Sequence, residues 1–596
     1  MPAPEFPMRL PAPLRRASAA LAFALTLAAC SATPPATTHA AADLDPAGRR
    51  DSALAQINTG NVAALQLAWQ FDTGAARGQE GAPLVVGETM YFHTPFPNTV
   101  IALDLADHHV RWRYTPQQTP GTASLMCCDV VSRGLGYGRV GDHGRVLLQQ
   151  ADTTLVALDA ESGAVVWQVR TGDPKTGATA TNAPRVFDRY VITGVAGGEY
   201  GVRGYLAAFD LADGHEVWRG YSVGPDADIG LDPATTMSWQ DGALRPVGAD
   251  SSLKSWSGDQ WQLGGGTTWG WYSYDPALRR LYYGSGNPGT WNPVQRPGDN
   301  RWSNALWARD LDTGRVAWVY QMTPHDEWDY DGVNELLLYD EAGASGEHRR
   351  LLAHFDRNGY AYVLDRVSGA LLRADKFDPS VNWARAIDLR SGRPQVDPQR
   401  SPAHNGEDAT THDVCPPAIG SKNQAPAARS DALGLFYVPG NHLCMDITPF
   451  TVDYRAGEPY IGAEITMHPV PGDEQALGRV TAWDAAAGRP RWVHPEALPV
   501  WSGALATAGG LVFFGTLDGH LKALDAATGA LRWTSPPLPS GVVGNVTSWV
   551  YGGRQFVGVL TGTGGLANDP DGIGRLRRTS APPSHGAFVA FALPAP

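Results

Sequence analysis

One short pattern recurs along this 596-residue chain and limits the folds that it can adopt. An aspartate at the end of an apolar run is followed eight residues later by a tryptophan, and this happens six times. The pairs are Asp104 and Trp112, Asp159 and Trp167, Asp210 and Trp218, Asp310 and Trp318, Asp484 and Trp492, and Asp525 and Trp533. Five of the six have glycine four residues after the aspartate, and the other has His108. Each copy predicts a strand, a tight turn in which glycine takes a positive φ, and a return strand whose tryptophan packs between sheets.

The number of copies predicts an all-β fold, a single eight-bladed β-propeller over residues 45–596 with Trp-docking repeats. A seventh copy, Asp365 with Gly369, lacks the tryptophan. The apolar run 586–592 predicts a strand that completes a blade begun near the N-terminus. Spacings of about 40–55 residues fit one four-stranded blade. Two longer gaps, 210–310 and 365–484, predict insertions or a degenerate copy.

The charge of the chain argues against one class of partner. Charged residues make up 18% of the sequence and the net charge is −13. No basic run is long enough to follow a phosphate backbone, so nucleic acid is not an expected partner.

The N-terminal residues indicate export. Residues 1–30 fit a lipoprotein-type signal peptide, because arginines precede an apolar run, 17–29, that is too short to span a bilayer. The run ends in Leu-Ala-Ala-Cys30, a lipobox whose cysteine is lipidated, and residues 31–44 fit a flexible tether. The alternative is ordinary cleavage nearby, which leaves a soluble periplasmic protein. We expect a periplasmic location, with lipid anchoring to the outer membrane as the favoured form.

The cysteine count supports this interpretation. The chain has five cysteines, an odd number, and lipidation of Cys30 leaves four that can pair as two disulfides. Cys127 and Cys128 are adjacent, so their bridge is a strained eight-membered ring of a kind that gathers at functional sites. Cys415 and Cys444 then form the other bridge, which closes a segment with little regular pattern.

A set of further motifs resembles the pyrroloquinoline quinone (PQQ) alcohol dehydrogenases from about Leu54 to the C-terminus. The first is the adjacent cysteine pair with Asp-Val-Val-Ser-Arg133, in the second blade. The others include Gly78-Gln-Glu80-Gly-Ala-Pro, Thr181-Asn-Ala-Pro, Gly197-Gly-Glu199-Tyr-Gly, Gly264-Gly-Gly-Thr267-Thr-Trp269, Gly284-Ser-Gly-Asn287-Pro, Asp326-Glu-Trp-Asp329-Tyr-Asp331 and His354-Phe-Asp-Arg357-Asn-Gly. Within that family the chain is most similar to the methanol dehydrogenase branch.

A planar quinone with three carboxylates needs flat walls and cationic donors. Trp269 offers one wall, the Cys127–Cys128 ring the opposite one, and Arg133 a bidentate donor. The resemblance implies this assignment, and it implies further cofactor contacts elsewhere in the chain. These contacts are Glu80, Thr181, Gly197, Gly198, Thr267, Arg357, Asn423 and Trp501.

The resemblance also implies a metal site and a catalytic pair. Glu199 and Asn287 offer hard oxygen ligands of the kind that Ca²⁺ prefers. Asp329 corresponds to the catalytic base and metal ligand, while Arg357 is the donor that polarises the quinone carbonyl. Asp331 occupies a position where the calcium enzymes have a small residue and the lanthanide-dependent branch has an aspartate. The sequence therefore predicts a lanthanide(III) ion with Ca²⁺ as the alternative, and it leaves open hydride transfer or addition followed by elimination.

The predicted activity is oxidation of methanol or another small primary alcohol to its aldehyde. Leu566 stands where the family usually has tryptophan, which predicts a larger substrate cavity, whereas Trp291 is retained. No Cys-x-x-Cys-His motif for haem attachment occurs, so we expect a separate cytochrome c to accept the electrons. Two alternatives are a calcium-dependent dehydrogenase of larger alcohols and a non-enzymatic propeller lipoprotein scaffold. The oligomeric state stays open, with a homodimer among the options.

Overall fold

The computed structural model describes residues 45–126, 128–342, 346–563, 576 and 585–595, and nearly all of their regular structure is β. Helices here are single turns: α-helices at Asp226–Ile229 and Pro402–Asn405, and 3₁₀-helices at Val62–Ala64, Thr122–Leu125, Pro174–Thr176, Gly198–Tyr200, Leu253–Ser255, Gln260–Leu263, Pro293–Gln295 and Pro398–Arg400. Within the described residues, no helix has the length and apolar character needed to cross a membrane. The fold class is therefore all-β, as predicted.

Eight sheets contain four or more strands in the described ranges, and each has an antiparallel four-stranded meander. We number them in chain order. Sheet 1 is Leu84–Val86, Thr89–His93, Val100–Asp104 and Val110–Tyr114; sheet 2 is Gly136–Val140, His143–Gln149, Thr154–Asp159 and Val165–Arg170; sheet 3 is Arg185–Phe187, Tyr190–Gly194, Tyr205–Asp210 and Glu216–Tyr221; sheet 4 is Tyr272–Asp275, Arg280–Gly284, Ala305–Asp310 and Val316–Gln321, extended by Met237–Gln240 and Ala243–Pro246.

The second half of the chain forms the other four sheets. Sheet 5 is Leu336–Ala342, His348–Phe355, Tyr360–Asp365 and Leu371–Lys376; sheet 6 is Ala428–Ser430, Leu435–Asn441, Gly478–Asp484 and Arg489–Glu496; sheet 7 is Leu505–Thr507, Leu511–Gly515, Leu521–Asp525 and Leu531–Thr534, extended by Asp51–Ser52; sheet 8 is Thr547–Tyr551, Arg554–Leu560, Ala587–Ala592 and Gln66–Asp72. The strand near the C-terminus thus pairs with a strand near residue 70.

The repeated tryptophans contact the turn of the next sheet. Trp112 of sheet 1 donates from Nε1 to the carbonyl oxygen of Ala160 at 3.1 Å. Its ring lies against Gly163, where an added Cβ would approach it to 2.6 Å, and Gly163 has φ +72°. Glycine is therefore required by both the backbone and the space. The same contact joins Trp167 to Gly214, Trp218 to Gly314, Trp318 to Gly369 and Trp492 to Gly529.

Three junctions between consecutive sheets use other side chains. Arg373 of sheet 5 takes the place of tryptophan and donates to the carbonyl oxygen of Ala486 at 2.9 Å. Trp533 of sheet 7 packs on Phe591 of sheet 8, with ring centroids 5.1 Å apart. Trp69 of sheet 8 stacks on His108 of sheet 1 at 4.3 Å. His108 has φ +62°, so the one non-glycine copy keeps the turn geometry and adds a stacking surface.

Both long gaps in the repeat contain insertions rather than a degenerate copy. Residues 210–310 add two strands to sheet 4, and residues 365–484 add a two-stranded sheet and a three-stranded sheet. The two-stranded sheet is Ala384–Asp388 and Arg393–Val396. The three-stranded sheet, which we call the inserted sheet, is Thr411–Val414, Leu443–Pro449 and Ala463–Pro469.

The structure contains the predicted disulfide between Cys415 and Cys444. The bond joins the end of the strand Thr411–Val414 to the strand Leu443–Pro449 of the inserted sheet. Although its sequence shows little regular pattern, the bridged segment holds the first two strands of sheet 6, Ala428–Ser430 and Leu435–Asn441. These strands are buried on both faces and so lack the alternating pattern that identifies a half-exposed strand.

Candidate active site

A cavity of about 280 Å³ collects residues from all eight sheets. Each sheet contributes a lining residue that lies three to five positions before its first strand. These residues are Glu80, Arg133, Thr181, Trp269, Asp331, Asn423, Trp501 and Val543, for sheets 1 to 8 in order. Gly197 and Glu199, Asn287, and Arg357 belong to the loops between the second and third strands of sheets 3, 4 and 5. In an antiparallel meander, these two kinds of loop lie at the same end of the sheet, so the site forms there.

Arg357 holds the two aspartates of the predicted catalytic motif together. Its Nη1 atom lies 3.3 Å from Oδ2 of Asp329 and 3.0 Å from Oδ2 of Asp331. The same atom donates to the carbonyl oxygen of Ala418 at 3.1 Å, and Nη2 donates to Oδ1 of Asn423 at 3.3 Å. The side chains of Arg357, Asp329 and Asp331 are buried, so their charges interact strongly.

Asn287 lies beside this pair. Its backbone N–H donates to Oδ1 of Asp331 at 2.8 Å. The side-chain Oδ1 of Asn287 and Oδ1 of Asp329 are both buried and have no hydrogen-bond partner. Buried polar atoms of this kind call for a partner, and oxygen atoms are the ligands that hard cations prefer. The residues present therefore fit the predicted metal ion.

Glu199 completes the predicted ligand set from the 3₁₀-helix Gly198–Tyr200. A Cβ at Gly198 would lie 3.4 Å from Oδ1 of Asn287, which places this helix next to the asparagine. Burial raises the pKa of Glu199 to about 7, and the nearby charge of Asp331 adds to the shift.

The pKa values of the two aspartates are raised in the same way as that of Glu199. Burial raises the pKa of Asp329 well above its usual value, and the charges of Asp331 and Glu199 raise it further. Burial also raises the pKa of Asp331, against the opposing effect of Arg357. Arg357 pairs with the two buried aspartates, and the half-buried Glu199 adds a third carboxylate nearby. The site therefore has an excess of negative charge that a multivalent cation would neutralise.

Two arginines lie close to the ring of Trp269, the residue predicted as one wall of the cofactor site. The guanidinium carbon of Arg133 lies 4.5 Å above the centre of the Trp269 ring, and that of Arg357 lies 5.5 Å from it. Nη2 of Arg133 pairs with Oε2 of Glu80 at 2.9 Å, and Nη1 donates to the hydroxyl of Thr181. A flat aromatic face bordered by two cations suits a planar polyanion.

Most predicted residues line the cavity directly, and three lie behind its surface. Cys128 lines the cavity and is disulfide-bonded; its predicted partner Cys127 lies outside the described residues, as does Leu566. Gly198, Thr267 and Asn287 are packed behind the lining. The carbonyl oxygen of Thr267, for example, accepts the N–H of Gly286 at 2.7 Å and so fixes the turn before Asn287.

Several lining residues were not predicted. Ile465 and Met467 come from the inserted sheet, and Leu125 and Met126 come from the 3₁₀-helix Thr122–Leu125 and its end. These side chains are apolar and lie in segments without a repeat, so no sequence signal separated them from ordinary core residues.

Comparison with known proteins agrees with this geometry. The family model described as glucose/ethanol/alcohol dehydrogenase, β-propeller domain, of the PQQ type, matches residues 40–374. A second model, described as outer membrane protein assembly factor BamB, matches residues 467–572.

Individual proteins match over most of the chain. It is 51% identical to a lanthanide-dependent methanol dehydrogenase of Methylorubrum extorquens, over 92% of this chain and 93% of that protein. It is 42% identical to methanol dehydrogenase (cytochrome c) subunit 1 of Paracoccus denitrificans, over 92% and 88%. A solved europium-containing methanol dehydrogenase superposes with a TM-score of 0.87 at 42% identity, over 93% of this chain and 98% of that one. The chain therefore belongs to the family of PQQ-dependent alcohol dehydrogenases.

Proposed function

We propose that this protein is a methanol dehydrogenase that uses PQQ and one lanthanide(III) ion to oxidise small primary alcohols to aldehydes. The observation that carries the proposal is the cluster of Glu199, Asn287, Asp329 and Asp331, in which two buried oxygen atoms have no hydrogen-bond partner. When bound, PQQ supplies the two-electron acceptor and the metal ion supplies a Lewis acid. The relatives named for methanol and for lanthanides support this assignment.

The residues for holding the cofactor are those around Trp269. Its ring face offers a stacking surface, and Arg133 offers donors for a carboxylate of the cofactor. Thr181, Asn423 and Trp501 line the same cavity. The Nε1 atom of Trp501 donates to Oδ1 of Asn441 at 2.9 Å, which fixes the orientation of that ring.

Asp329 is the proposed base for the alcohol hydroxyl. Arg357 pairs with its Oδ2 atom, and Oδ1 has no hydrogen-bond partner, so the carboxylate keeps lone pairs for both the metal ion and the alcohol proton. A base in a buried site needs a compensating positive charge to stay ionised, and Arg357 together with the metal ion would supply it. Apolar side chains at the cavity, among them Leu125 and Met467, exclude water from the proton transfer.

Asp331 favours a trivalent ion over Ca²⁺. It adds a third carboxylate to Glu199 and Asp329, and its pairing with Arg357 places it in the same cluster. A higher ligand charge suits a more highly charged cation. The calcium-dependent alternative remains the comparison that the experiment has to include.

We also propose that the eight sheets close into one ring with Trp-docking contacts. The contacts from each sheet to the next, and from Trp69 of sheet 8 to His108 of sheet 1, support a closed order. A scaffold protein would need the ring but not two buried aspartates beside a third carboxylate, an arrangement that costs stability unless it serves a ligand.

Electrons would leave to a separate cytochrome c, as the name of the Paracoccus denitrificans relative suggests for that protein.

The N-terminal lipobox bears on where the protein is located. We propose a periplasmic location and a lipid anchor at Cys30, on the basis of this motif. Membrane fractionation of wild-type and Cys30→Ala protein tests the anchor, because a diacylated chain binds membranes firmly. Recovery of both proteins in the soluble fraction would refute it.

Dye-linked turnover of the apoprotein tests the function. The protein is reconstituted with PQQ and Ca²⁺, La³⁺ or Ce³⁺, and each form is assayed with a series of short primary alcohols. We expect turnover with methanol that is greatest with the lanthanides. Higher turnover with Ca²⁺ and larger alcohols would support the calcium alternative, and no quinone absorbance or turnover with any metal would support the scaffold.

A further inference from the structure

Arg296, a buried arginine outside the predicted site, connects two loops that carry candidate metal ligands. Its side chain is 1% exposed. Nε donates to the carbonyl oxygen of Thr290 at 2.6 Å, and Nη2 donates to the carbonyl oxygen of Asp326. Thr290 lies three residues after Asn287, and Asp326 lies three residues before Asp329. One guanidinium group thus bridges the loop of the asparagine ligand and the loop of the base.

The loop of the base is itself fixed at Asp326. Its carboxylate accepts the backbone N–H of Trp328 at 3.2 Å and that of Tyr330 at 3.2 and 3.3 Å. Asp329 lies between these two donors and has φ +66°, in the left-handed region. The hydrogen bonds at Asp326 therefore set the position from which the carboxylate of Asp329 projects.

The loop that carries Glu199, the third loop with a candidate ligand, is connected to Thr290 through residues 460 and 461. The hydroxyl of Thr290 and the N–H of Trp291 both donate to the carbonyl oxygen of Ile461, at 2.5 and 2.6 Å. The neighbouring N–H of Tyr460 donates to the carbonyl oxygen of Glu199 at 2.5 Å. Through Thr290, Arg296 is thus connected to the loops of all the candidate ligands.

Arg296 cannot be replaced by a simple positive charge in this arrangement. Nη1 makes a third hydrogen bond, to Oδ1 of Asn300 at 2.9 Å. The planar guanidinium presents its donors in a fixed fork, whereas an ammonium group is a point donor on a flexible chain. Burial lowers the pKa of Arg296 to about 10, so the group stays charged at neutral pH.

We infer that Arg296 is a positioning residue for the metal site, which sets the separation of Asn287 from Asp329 and Asp331 and thereby the affinity for the ion. The inference rests on the proposed function, because it assumes that these residues bind the metal. Residues that orient metal ligands typically contribute about 10–100-fold to metal affinity.

The test compares Arg296→Lys with a matched variant, Arg309→Lys. Arg309 is also fully buried and donates to Tyr283, Ile229 and Gly314, none of which is a candidate ligand. Both variants lose a buried guanidinium, so both lower the thermal stability. Eu³⁺ affinity is measured by isothermal titration calorimetry on protein saturated with PQQ, and unfolding is measured without metal.

We expect Eu³⁺ to bind Arg296→Lys about 10–100-fold more weakly than wild type, and Arg309→Lys within about threefold of it. Turnover at saturating metal should recover in part. Equal Eu³⁺ affinity of the two variants would overturn the inference. If wild type itself does not bind Eu³⁺, the metal assignment fails instead, and the two failures are therefore distinguishable.

A second variant covers the case in which Arg296→Lys does not fold. Asn300→Gly removes one acceptor of the guanidinium at a residue with φ +52°, where glycine is well tolerated. We expect a smaller loss of Eu³⁺ affinity in the same titration. Wild-type affinity of a folded Asn300→Gly protein would contradict the positioning role.

Discussion

The Oδ2 atom of Asp331 lies 3.0 Å from the Nη1 atom of Arg357, and both side chains are buried. A cation bound by Asp331 must share this carboxylate with the guanidinium. The same arginine also lies within 3.3 Å of Asp329, so a metal ion at Asp331 would change the charge that surrounds both aspartates. The ion pair therefore links the charge of the metal to the group proposed as the base.

Asp331→Ala should abolish turnover with La³⁺ while the fold is retained. The change removes a ligand and the acceptor of the Asn287 N–H, and La³⁺ affinity should fall by about 100-fold or more. The exposed residue Asp259 offers the control Asp259→Ala. Affinity by calorimetry and turnover with La³⁺ are measured for both. Wild-type values for Asp331→Ala would show that this aspartate is not a ligand.

Asp329→Asn should still bind PQQ and metal but lose most turnover. The amide keeps an oxygen atom for the ion but cannot accept the alcohol proton, and loss of a general base costs about 10²–10⁴ in rate. The assay uses saturating metal, because one negative charge is lost. Asp259→Asn is the matched control. If Asp329→Asn turns over within a few-fold of wild type, Glu199 or Asp331 must be the base.

Metal binding should release protons, because burial raises the pKa of Glu199 to about 7 and a cation favours its ionised form. Lanthanide affinity should therefore increase as the pH rises through about 7. Calorimetry in two buffers of different ionisation enthalpy counts the protons. Glu199→Gln should release fewer of them and bind more weakly. An unchanged proton count in this variant would place the titrating group elsewhere.

His93 should make the fold less stable at mildly acidic pH. It is fully buried, its Nε2 lies 3.2 Å from the carbonyl oxygen of Ser132, and burial lowers its pKa to about 4. The unfolded chain takes up a proton near pH 6.5, which the folded protein does not. The contribution of His93 is thus complete above about pH 6.5 and is lost as the pH falls towards 4.

The measurement is urea unfolding of His93→Gln and wild type at several pH values. As the pH falls through this range, the free energy of unfolding should decrease less for the variant than for wild type, by up to about 1.4 kcal/mol per pH unit. His143→Gln, at an exposed histidine, is the control. Parallel curves for wild type and His93→Gln would contradict the prediction.

Gly214→Ala should destabilise the protein more than Gly141→Ala. Both glycines have positive φ, +76° and +57°, so both variants suffer backbone strain of about 1 kcal/mol. Only at Gly214 would the new Cβ meet an aromatic ring, that of Trp167 at 2.5 Å; at Gly141 there is nothing within 4 Å. Overpacking should add about 1–3 kcal/mol. Equal free energies of unfolding for the two variants would mean that the contact with Trp167 tolerates a side chain at position 214.

The sequence by itself determined the repeating hairpin and the chemical types in the site. The spacing of Asp159, Gly163 and Trp167 is a local property, since it follows from the strand period and the turn geometry. The motifs around Arg133, Trp269 and Asp329 also lie within short stretches. The residue types that form the site are therefore visible without a structure.

Only the tertiary structure decided which of these residues meet. Arg357 contacts Asp329 across 28 residues and Asn423 across 66, because loops at the same end of successive sheets converge. Ile465 and Met467 reach the cavity from the inserted sheet, and Arg296 bridges two loops through backbone carbonyl groups. Backbone acceptors are the same in every residue, so a sequence does not reveal which carbonyl groups a buried arginine will find.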